Sequence, residues 1–356
     1  MAFVLLDRKK LKRNFNYLDK LFNKHNIEWA VVTKMLCGNK AYLKEVIDLS
    51  IKEVCDSRVS NLKTIKNISK DVQTIYIKPP AKRAIKSVVK YADISLNTQL
   101  STIELLSEEA QKQNKIHKVI IMIEMGELRE GVMRNNVIDF YEKIFKLPNI
   151  SVLGIGTNLT CLYGVLPNQD KLIQLNLYKQ LIEAKFNRKI KYVSGGSSVT
   201  IPLIKQKLLP KGINHFRVGE TLFMGTNVYD GSKLEAMEND VLKLYAEIIE
   251  LTKKPTVPEG DMGQNVEGKS FEFDKDEYGK TSYRAILDVG LLDIETEHLT
   301  PVDPNVEVAG ASSDMIVMDL NKNEQNYQVG DLLEFNVDYM GALRLFNSNY
   351  IDKRVV

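Results

Sequence analysis

The sequence predicts a (β/α)8 barrel of the TIM type followed by a mostly antiparallel β-domain, and three observations indicate this fold. Short β-branched runs alternate eight times with helical stretches between about residues 10 and 228. Polar and glycine residues gather where these runs end. After about residue 229, short alternating strands separated by turn signals replace the pattern. We therefore expect domains at 1–228 and 229–356, with the first few residues able to join the β-domain.

The predicted barrel strands are eight apolar, β-branched runs of five to seven residues. They span 29–34, 52–57, 73–78, 93–97, 118–124, 152–158, 190–196 and 214–220. All except the last are followed by a helical stretch, for example 136–147 and 170–186. In a barrel, the polar residues that follow the strands converge on one face, and this favours a barrel over an open, doubly wound sheet.

The composition is that of a soluble globular protein without a nucleic-acid, membrane or metal partner. Apolar residues make up 44% of the chain, and no segment approaches the length of about 20 apolar residues that crosses a membrane. A net charge of +3 is too small to indicate a polyanionic partner. Cys37, Cys55 and Cys161 lack metal-ligand spacing, and their odd number is typical of a reducing compartment. The apolar run at the start is too short for a signal peptide, so we expect a cytoplasmic protein.

Lys34 ends the apolar run that begins at Ala30. A buried ammonium is costly unless it serves a function, and burial lowers the pKa of a lysine so that its amine attacks a carbonyl more readily. A lysine at a strand end is also typical of a side chain that reaches into water. This stretch alone leaves both interpretations open.

Residues 193–203, VSGGSSVTIPL, follow the seventh predicted strand and enter a helix. Glycine lets the backbone approach an anion, and Ser197 and Ser198 add hydroxyl donors beside a helix start. A flexible turn with an N-cap serine is the alternative. Barrels often bind phosphate between the loops after strands seven and eight, where Gly219 and Glu220 could donate amides to the same group. Position therefore favours a phosphate site.

Arg217 lies on the eighth predicted strand and needs a partner there. An ion pair with Glu220, Glu124 or Asp56 is one interpretation, and donation to a heterocyclic nitrogen is the other. A lysine on strand one, an arginine on strand eight and an anion site beside them together indicate a phosphate-bearing aldehyde cofactor, pyridoxal 5′-phosphate.

Ten sequence blocks span nearly the whole chain. They are VTKMLCGN, DSRVSNL, YADISLN, GELREGV, GIGTNLTC, VSGGSS, KGINHFRVGE, AEIIEL, GASSDM and FNVDYMGALR. Through these blocks the chain resembles the alanine/ornithine racemase family of fold-type III pyridoxal-phosphate enzymes, and its ornithine-racemase-like branch most closely. The resemblance implies a barrel that binds pyridoxal phosphate and an activity that removes and returns the α-proton of a free amino acid.

The resemblance also implies a role for each matching residue. Lys34 would hold the cofactor covalently and act as one acid/base group at the substrate α-carbon. Arg217 would face the pyridine nitrogen, and Arg129 would lie near the cofactor phenolic oxygen and the substrate carboxylate. Asn158 would occupy the place where alanine racemases stack a histidine against the ring.

Further residues implied by the resemblance come from both domains and from a second protomer. Those that would bind the phosphate are Ser197, Ser198, Gly219, Glu220 and, from the β-domain, Tyr339. Asp314 resembles an aspartate that enters the neighbouring protomer's site. Such composite sites imply a head-to-tail homodimer.

The second acid/base group has no match in this chain. Alanine racemases use a tyrosine from the partner's β-domain, whereas residues 259–268 contain none. Leu291, Leu292 and Met315 stand where related sequences tend to have polar residues or histidine, and they predict a weaker preference for cationic substrates. These three side chains cannot transfer a proton. The candidates by chemistry alone are Tyr278, Tyr283, Cys161 and His298.

A racemase is therefore the predicted activity, and two alternatives share the fold. A decarboxylase of this fold usually has an acidic residue at the pyridine nitrogen, where this chain has Arg217. A non-catalytic cofactor carrier needs only Lys34 and a phosphate site, but such carriers are usually a lone barrel. Fold and cofactor alone do not fix the reaction.

Three histidines fall before or at predicted strand starts, on the barrel face that usually serves stability. They are His25, His117 and His215. We expect structural roles for all three.

Overall fold

The computed structural model describes residues 2–265, 268 and 270–356, which form two compact units. The larger unit is Arg8–Asn239, and the smaller unites the residues up to Asp7 with Asp240–Val356. The larger unit extends to Asn239 because Glu238 N–H donates to Asn14 Oδ1 over 2.7 Å and Asn14 Nδ2 donates back to Glu238 O over 2.8 Å. The domain assignment expected at 1–228 and 229–356 stays a prediction.

Strand β1 (Phe3–Leu6) opens the chain within the smaller unit, and the larger unit alternates strands with helices. The strands of the larger unit are β2 (Glu28–Val32), β3 (Glu53–Asp56), β4 (Gln73–Tyr76), β5 (Ile94–Asn97), β6 (His117–Met122), β7 (Ile150–Gly156), β8 (Tyr192–Ser194), β9 (Gly196–Ser197) and β10 (His215–Val218). Its helices are α1 (Arg8–Lys24), α2 (Lys40–Ile47), α3 (Val59–Ile68), α4 (Ile85–Tyr91), α5 (Leu100–Lys112), α6 (Val137–Ile144), α7 (Gln169–Phe186), α8 (Ile201–Lys205) and α9 (Glu220–Met224). All eight predicted strands are confirmed.

The parallel strands close into a barrel. From β8 back to β2, each strand pairs with the one before it, and β2 then pairs with β10, which pairs with β9. The two ends of this path, β8 and β9, are separated in the chain only by Gly195. The predicted barrel is therefore confirmed, and the open sheet is wrong because the first barrel strand pairs with the last.

The strands enclose a continuous apolar core. Successive strand residues point to opposite faces, so residues two apart, such as Ala30 and Val32, share a side. Full burial of a side chain such as leucine or isoleucine stabilises the fold by about 1.5–3 kcal/mol. One cluster of buried side chains from these strands comprises Ala30, Val32, Cys55, Ile75, Ile94, Leu96, Ile120, Met122 and Tyr192.

The smaller unit is the predicted β-domain, and its pairs are antiparallel except that β1 runs parallel to the final strand. Its strands are β11 (Leu242–Pro255), β12 (Thr281–Leu287), β13 (Leu299–Pro301), β14 (Glu307–Ala311), β15 (Ile316–Asp319), β16 (Leu332–Val337) and β17 (Asp352–Val355), and its helix is α10 (Tyr339–Asn347). The main path of its sheet runs β13–β16–β11–β12–β15–β14. No helix in the described part of the chain is long and apolar enough to cross a membrane.

His117 is buried in the barrel and forms a polar pair there. Its Nε2 lies 2.8 Å from Ser95 Oγ on the neighbouring strand, and its side chain is 2% exposed. Burial disfavours the charged ring and lowers the pKa of His117 to about 4. The unfolded chain therefore takes up a proton at this site at a higher pH than the folded chain.

The low pKa of His117 predicts a loss of stability in mild acid. Between pH 6.5 and 4 the unfolded state binds more protons at His117, so the free energy of unfolding falls as the pH falls. Across this whole pH interval, the contribution of His117 to the free energy of unfolding falls by about 3 kcal/mol. Urea unfolding at several pH values should show a smaller acid loss in His117→Gln than in wild type. His25→Gln, at an exposed site, is the control, and equal acid loss in wild type and His117→Gln would contradict the prediction.

Candidate active site

Eight of the predicted site residues lie where barrel strands end, and two lie in the smaller unit. Those in the barrel unit are Lys34, Arg129, Asn158, Ser197, Ser198, Arg217, Gly219 and Glu220. Asp314 and Tyr339 belong to the β-domain. Because the carboxyl ends of parallel barrel strands meet on one face, the barrel residues share that face.

Lys34 begins a short 3-10 turn directly after β2, and its side chain is exposed. The buried ammonium considered from the sequence is therefore wrong: the strand ends at Val32, and the turn carries the lysine out of the sheet. The loop then reverses through Gly38 at φ 77°, where a Cβ atom would lie 2.5 Å from Asn61 Oδ1. Lys34 is thus an accessible amine on a tightly packed loop.

Asp56 fixes the loop that carries Lys34. Its buried carboxylate accepts hydrogen bonds from Thr33 Oγ1 at 2.9 Å, Arg58 N at 2.9 Å and Asn61 Nδ2 at 3.1 Å. Burial raises the pKa of Asp56 above its ordinary value, although these donors oppose the effect. Because Thr33 precedes Lys34, this carboxylate sets where the lysine loop starts.

Arg217 is 6% exposed, and its guanidinium is held by neutral oxygens. Nη1 donates to Ser194 O at 3.0 Å and also to Ser194 Oγ, while Nη2 donates to Thr157 O at 2.8 Å. The ion pair with a carboxylate that the sequence left open is not formed among the described residues. Burial lowers the pKa of Arg217, so its charge comes at an energetic cost. Such a cost is typical of a functional cation.

The serine loop packs against the start of α9. Ser198 Oγ accepts from Gly219 N at 3.4 Å and from Thr221 N at 3.3 Å, which brings the two predicted anion-binding loops together. Ser197 and Thr200 form a reciprocal capping box. The alternative interpretation of this loop, a turn with an N-cap serine, is therefore confirmed for Ser197. Hydroxyl and amide donors therefore gather at one corner of the site.

Gly196 in the serine loop has a packing role that the sequence did not indicate. A Cβ atom on Gly196 would lie 2.3 Å from the ring of Phe216 on the paired strand β10. A Cβ atom on Gly219 would lie 3.1 Å from Val32, a tight contact that a shift of a few tenths of an ångström would relieve. Close strand packing therefore accounts for glycine at position 196 without an anion.

Glu127 joins the loops that follow β6 and β7. Its carboxylate accepts from the backbone N–H groups of Leu162, Tyr163 (3.0 Å) and Val165 (3.1 Å), and its side chain is 1% exposed. Burial alone raises a carboxyl pKa, but these N–H donors outweigh it and lower the pKa of Glu127. Sequence reasoning missed this residue, which stands in GELREGV two positions before Arg129.

The two loops joined by Glu127 carry Arg129, Asn158 and Cys161. Arg129 Nη2 donates to Glu130 Oε1 at 2.6 Å, and this hydrogen bond raises the pKa of Arg129, with the Cys161 thiol adding to the effect. Asn158 Nδ2 is buried and has no hydrogen-bond partner in the described chain. An unpaired buried amide donor is costly and is typical of a site that binds a polar group.

The β-domain brings together four positions selected from the sequence. Leu291 N–H donates to Ser312 O at 3.0 Å and Leu292 N–H to Ser313 O at 2.9 Å, so these leucines lie along the turn that holds Asp314 and Met315. We call Leu291, Leu292, Asp314 and Met315 the Asp314 patch. Leu292 is 65% exposed and Met315 39% exposed. Tyr339 begins α10, which Asp338 caps by accepting from Gly341 N at 2.8 Å.

The candidates for the second acid/base group occupy different surroundings. His298 Nδ1 lies 2.9 Å from Asp338 Oδ2, next to the start of α10. Tyr278 is 63% exposed, while Tyr283 is half-buried within β12. Cys161 is exposed and lies beside Arg129. All four assignments stay predictions. Within 259–268, residues 266 and 267 lie outside the described part of the chain.

The fold and site define a barrel protein with a lysine after its first strand, a buried arginine on its last strand and an antiparallel domain appended. Residues 6–227 match the family model for the alanine racemase N-terminal domain. The chain is 36% identical to an ornithine racemase of Acetoanaerobium sticklandii, covering 99% of both chains. It is 28% identical to a lysine racemase of Thermotoga maritima, covering 98% of this chain and 97% of that protein. The chain belongs to the alanine racemase family.

A solved structure has the same fold. Alanine racemase from Bartonella henselae, crystallised with covalently bound pyridoxal phosphate, is 16% identical with a TM-score of 0.74. The similarity covers 100% of this chain and 99% of that one. The shared fold therefore extends over both the barrel and the β-domain of this chain.

The contacts of Glu127 predict that its substitution loosens two loops together. In Glu127→Gln an amide N–H would face backbone N–H donors, and leaving buried donors unpaired costs about 1–3 kcal/mol. Hydrogen exchange measured by mass spectrometry should become roughly tenfold faster in peptides covering 126–132 and 158–165. Glu104→Gln, at an exposed helix position, is the control. Unchanged exchange in both loops of Glu127→Gln would contradict the interpretation.

Proposed function

We propose that this protein is a pyridoxal-phosphate-dependent racemase that inverts a free amino acid by removing and returning its α-proton. The observation that carries the proposal is the pairing of β2 with β10, in which Arg217 lies opposite Ala30 and Gly219 lies beside Val32, two residues before Lys34. Similarity along the whole chain to ornithine and lysine racemases supports it. Three free cysteines fit a cytoplasmic location.

The residues of the site fit pyridoxal phosphate. An accessible amine at Lys34 suits attachment to an aldehyde, and the donors around Ser198 and Gly219 suit a phosphate. The buried Arg217 offers a cation for the pyridine nitrogen, and the unpaired Nδ2 of Asn158 offers a donor to a polar group. When bound, the cofactor supplies an electron sink that makes the α-proton of an attached amino acid acidic.

Each residue then has a defined task in the proposed reaction. Lys34 would hold the cofactor and transfer a proton at the α-carbon from one face. Arg217 would keep a positive charge beside the pyridine nitrogen, which disfavours protonation of that nitrogen and limits side reactions. Arg129 would hold the substrate carboxylate, and the pairing of Arg129 with Glu130 would orient the guanidinium.

The remaining residues would position the cofactor. Asn158 would lie against the ring, at the end of β7. Glu127 would hold the two loops that carry Asn158 and Arg129. The phosphate would be bound by the hydroxyls and amides of Ser197, Ser198, Gly219 and Glu220, together with Tyr339 from the β-domain.

We further propose a homodimer in which the Asp314 patch enters the partner's active site. The exposed apolar side chains of Leu292 and Met315 beside the Asp314 carboxylate support this role. Apolar side chains are typical of a surface that becomes covered on association. Similarity to an ornithine racemase and a lysine racemase supports a diamino acid as the substrate. The apolar side chains of Leu291, Leu292 and Met315 support weaker discrimination against substrates with neutral side chains.

The proposed activity predicts exchange of the α-proton with inversion. Holoenzyme in deuterated water is incubated with single L-amino acids, α-proton loss is followed by NMR, and the products are separated by chirality. Ornithine and lysine should exchange and invert, and Lys34→Ala should reduce both by about a thousandfold or more because it removes an acid/base group and the cofactor attachment. Lys40→Ala, at an exposed lysine on the next helix, is the matched control.

The outcomes of this experiment separate the proposed function from its alternatives. Exchange without inversion would indicate that Lys34 acts alone, and release of CO2 would indicate a decarboxylase. No exchange despite bound cofactor would indicate a carrier. The apolar Asp314 patch predicts turnover of ornithine within roughly tenfold of a neutral amino acid of similar length. A preference for ornithine of a hundredfold or more would contradict that interpretation.

A further inference from the structure

A continuous series of polar side chains runs through the barrel behind Arg217. Arg217 Nη1 contacts Ser194 Oγ, Ser194 Oγ lies 2.7 Å from His215 Nδ1, and His215 Nε2 lies 2.9 Å from Glu53 Oε2. The three residues behind the arginine are 5% exposed or less. Ser194 lies on β8, His215 on β10 and Glu53 on β3, so the contacts connect three different barrel strands.

Hydrogen-bonding capacity favours one direction for this series. A guanidinium only donates, so Ser194 Oγ accepts from Arg217. The single hydroxyl hydrogen of Ser194 then points to its nearest acceptor, Nδ1 of His215. Nδ1 must carry a lone pair, and the hydrogen of a neutral ring therefore lies on Nε2, where it donates to Glu53.

We propose that Ser194, His215 and Glu53 are positioning residues that hold Arg217 through a one-way chain of hydrogen bonds, with His215 neutral and protonated at Nε2. The inference rests on the proposed function only in its last step, where Arg217 faces the pyridine nitrogen. It assigns a role in the active site to a histidine that lies at the opposite end of its strand. None of the three residues touches the substrate in this proposal.

The surroundings of His215 favour the neutral ring. Arg217 is a nearby cation on the same strand, and a charged imidazole would add a second buried cation. Burial lowers the pKa of His215, although Glu53 and Glu28 oppose the effect. Tyr192 stacks on the imidazole with the ring centroids 4.5 Å apart. A protonated ring would donate Nδ1–H to Ser194 Oγ, and the hydroxyl hydrogen of Ser194 would then lose its acceptor among the described residues.

The far end of the chain reaches a group of charged residues. Tyr192 Oη lies 2.8 Å from Glu53 Oε1 and 2.8 Å from Glu28 Oε2, and Lys191 Nζ donates to it over 2.9 Å. Burial alone raises the pKa of Glu53, but His215, Tyr192 and Lys191 lower it overall, so Glu53 is a carboxylate. The acceptor that ends the chain is therefore an anion in contact with His215 and Tyr192.

The chain supports Arg217 without neutralising it. A carboxylate in direct contact would offset the positive charge of the guanidinium, whereas Ser194 and Thr157 present neutral oxygens. The anion of Glu53 is separated from Arg217 by a hydroxyl and an imidazole. These contacts use three of the five N–H groups of the guanidinium and leave two for a ligand.

The tautomer of His215 tests the chain without reference to activity. Nitrogen-15 NMR of the imidazole ring in the full-length protein distinguishes the two neutral tautomers from each other and from the charged form. The protein has only four histidines to assign. His215→Gln identifies the signals. We expect a neutral ring with its hydrogen on Nε2 between pH 6 and 8. A hydrogen on Nδ1, or a charged ring in this range, would overturn the proposal.

The role in positioning Arg217 is tested with two matched serine variants. Ser194→Ala removes the hydroxyl that holds Arg217, and Ser95→Ala breaks the equivalent serine–histidine contact at His117. In the holoenzyme, Ser194→Ala should shift the visible absorption of the bound cofactor and reduce kcat roughly tenfold with little change in KM. Ser95→Ala should leave the absorption unchanged. Equal effects of the two variants would show that Ser194 has only a structural role, and this result would overturn the proposal.

Failure of the proposed function remains distinguishable from failure of this inference. If the protein takes up no pyridoxal phosphate, the proposed function fails while the His215 tautomer still decides whether the chain exists. If the tautomer is as expected but Ser194→Ala leaves absorption and kcat unchanged, the chain exists and its positioning role is refuted.

Discussion

The pairing of β2 with β10 is the contact on which the rest of the site depends. It closes the barrel and aligns Ala30 with Arg217 and Val31 with Val218. Because Lys34 follows β2 and Gly219 follows β10, this register brings the amine, the buried cation and the anion-binding corner to one edge. The approach is close enough that a Cβ atom on Gly219 would meet Val32 at 3.1 Å. A shift of one residue would turn every side chain of the strand to the opposite face.

Buried carboxylates hold the loops of this site, and their partners determine their pKa values. Asp56 anchors the lysine loop, and burial raises its pKa because the cost of removing the carboxylate from water outweighs the hydrogen bonds that it accepts. Glu127 receives several backbone N–H bonds, which lower its pKa despite burial. Glu53 acts at the opposite end of the barrel through His215. Rigid loops on a rigid barrel are what a proton transfer between fixed positions requires.

The sequence predicted the barrel because strand ends and strand composition are local properties, whereas Arg129, Asn158, Asp314 and Tyr339 were selected only through the family resemblance. All eight strands were found, since each is a short β-branched run followed by a helix or a turn. The sequence left open whether Lys34 is buried or reaches into water, and the structure decides for exposure because the strand ends two residues earlier than the apolar pattern indicates. Glu127 and Glu53 were missed since their partners lie far along the chain, and His215 was assigned a structural role from its position at a strand start.

The attachment of the cofactor to Lys34 is the claim that a single measurement tests most directly. The purified protein is loaded with pyridoxal phosphate, reduced with borohydride, digested and analysed by mass spectrometry. A stable phosphopyridoxyl group should be found on the peptide that contains Lys34, and Lys34→Ala should carry none. Modification concentrated on a different lysine, or spread evenly over surface lysines in both proteins, would contradict the proposed active site.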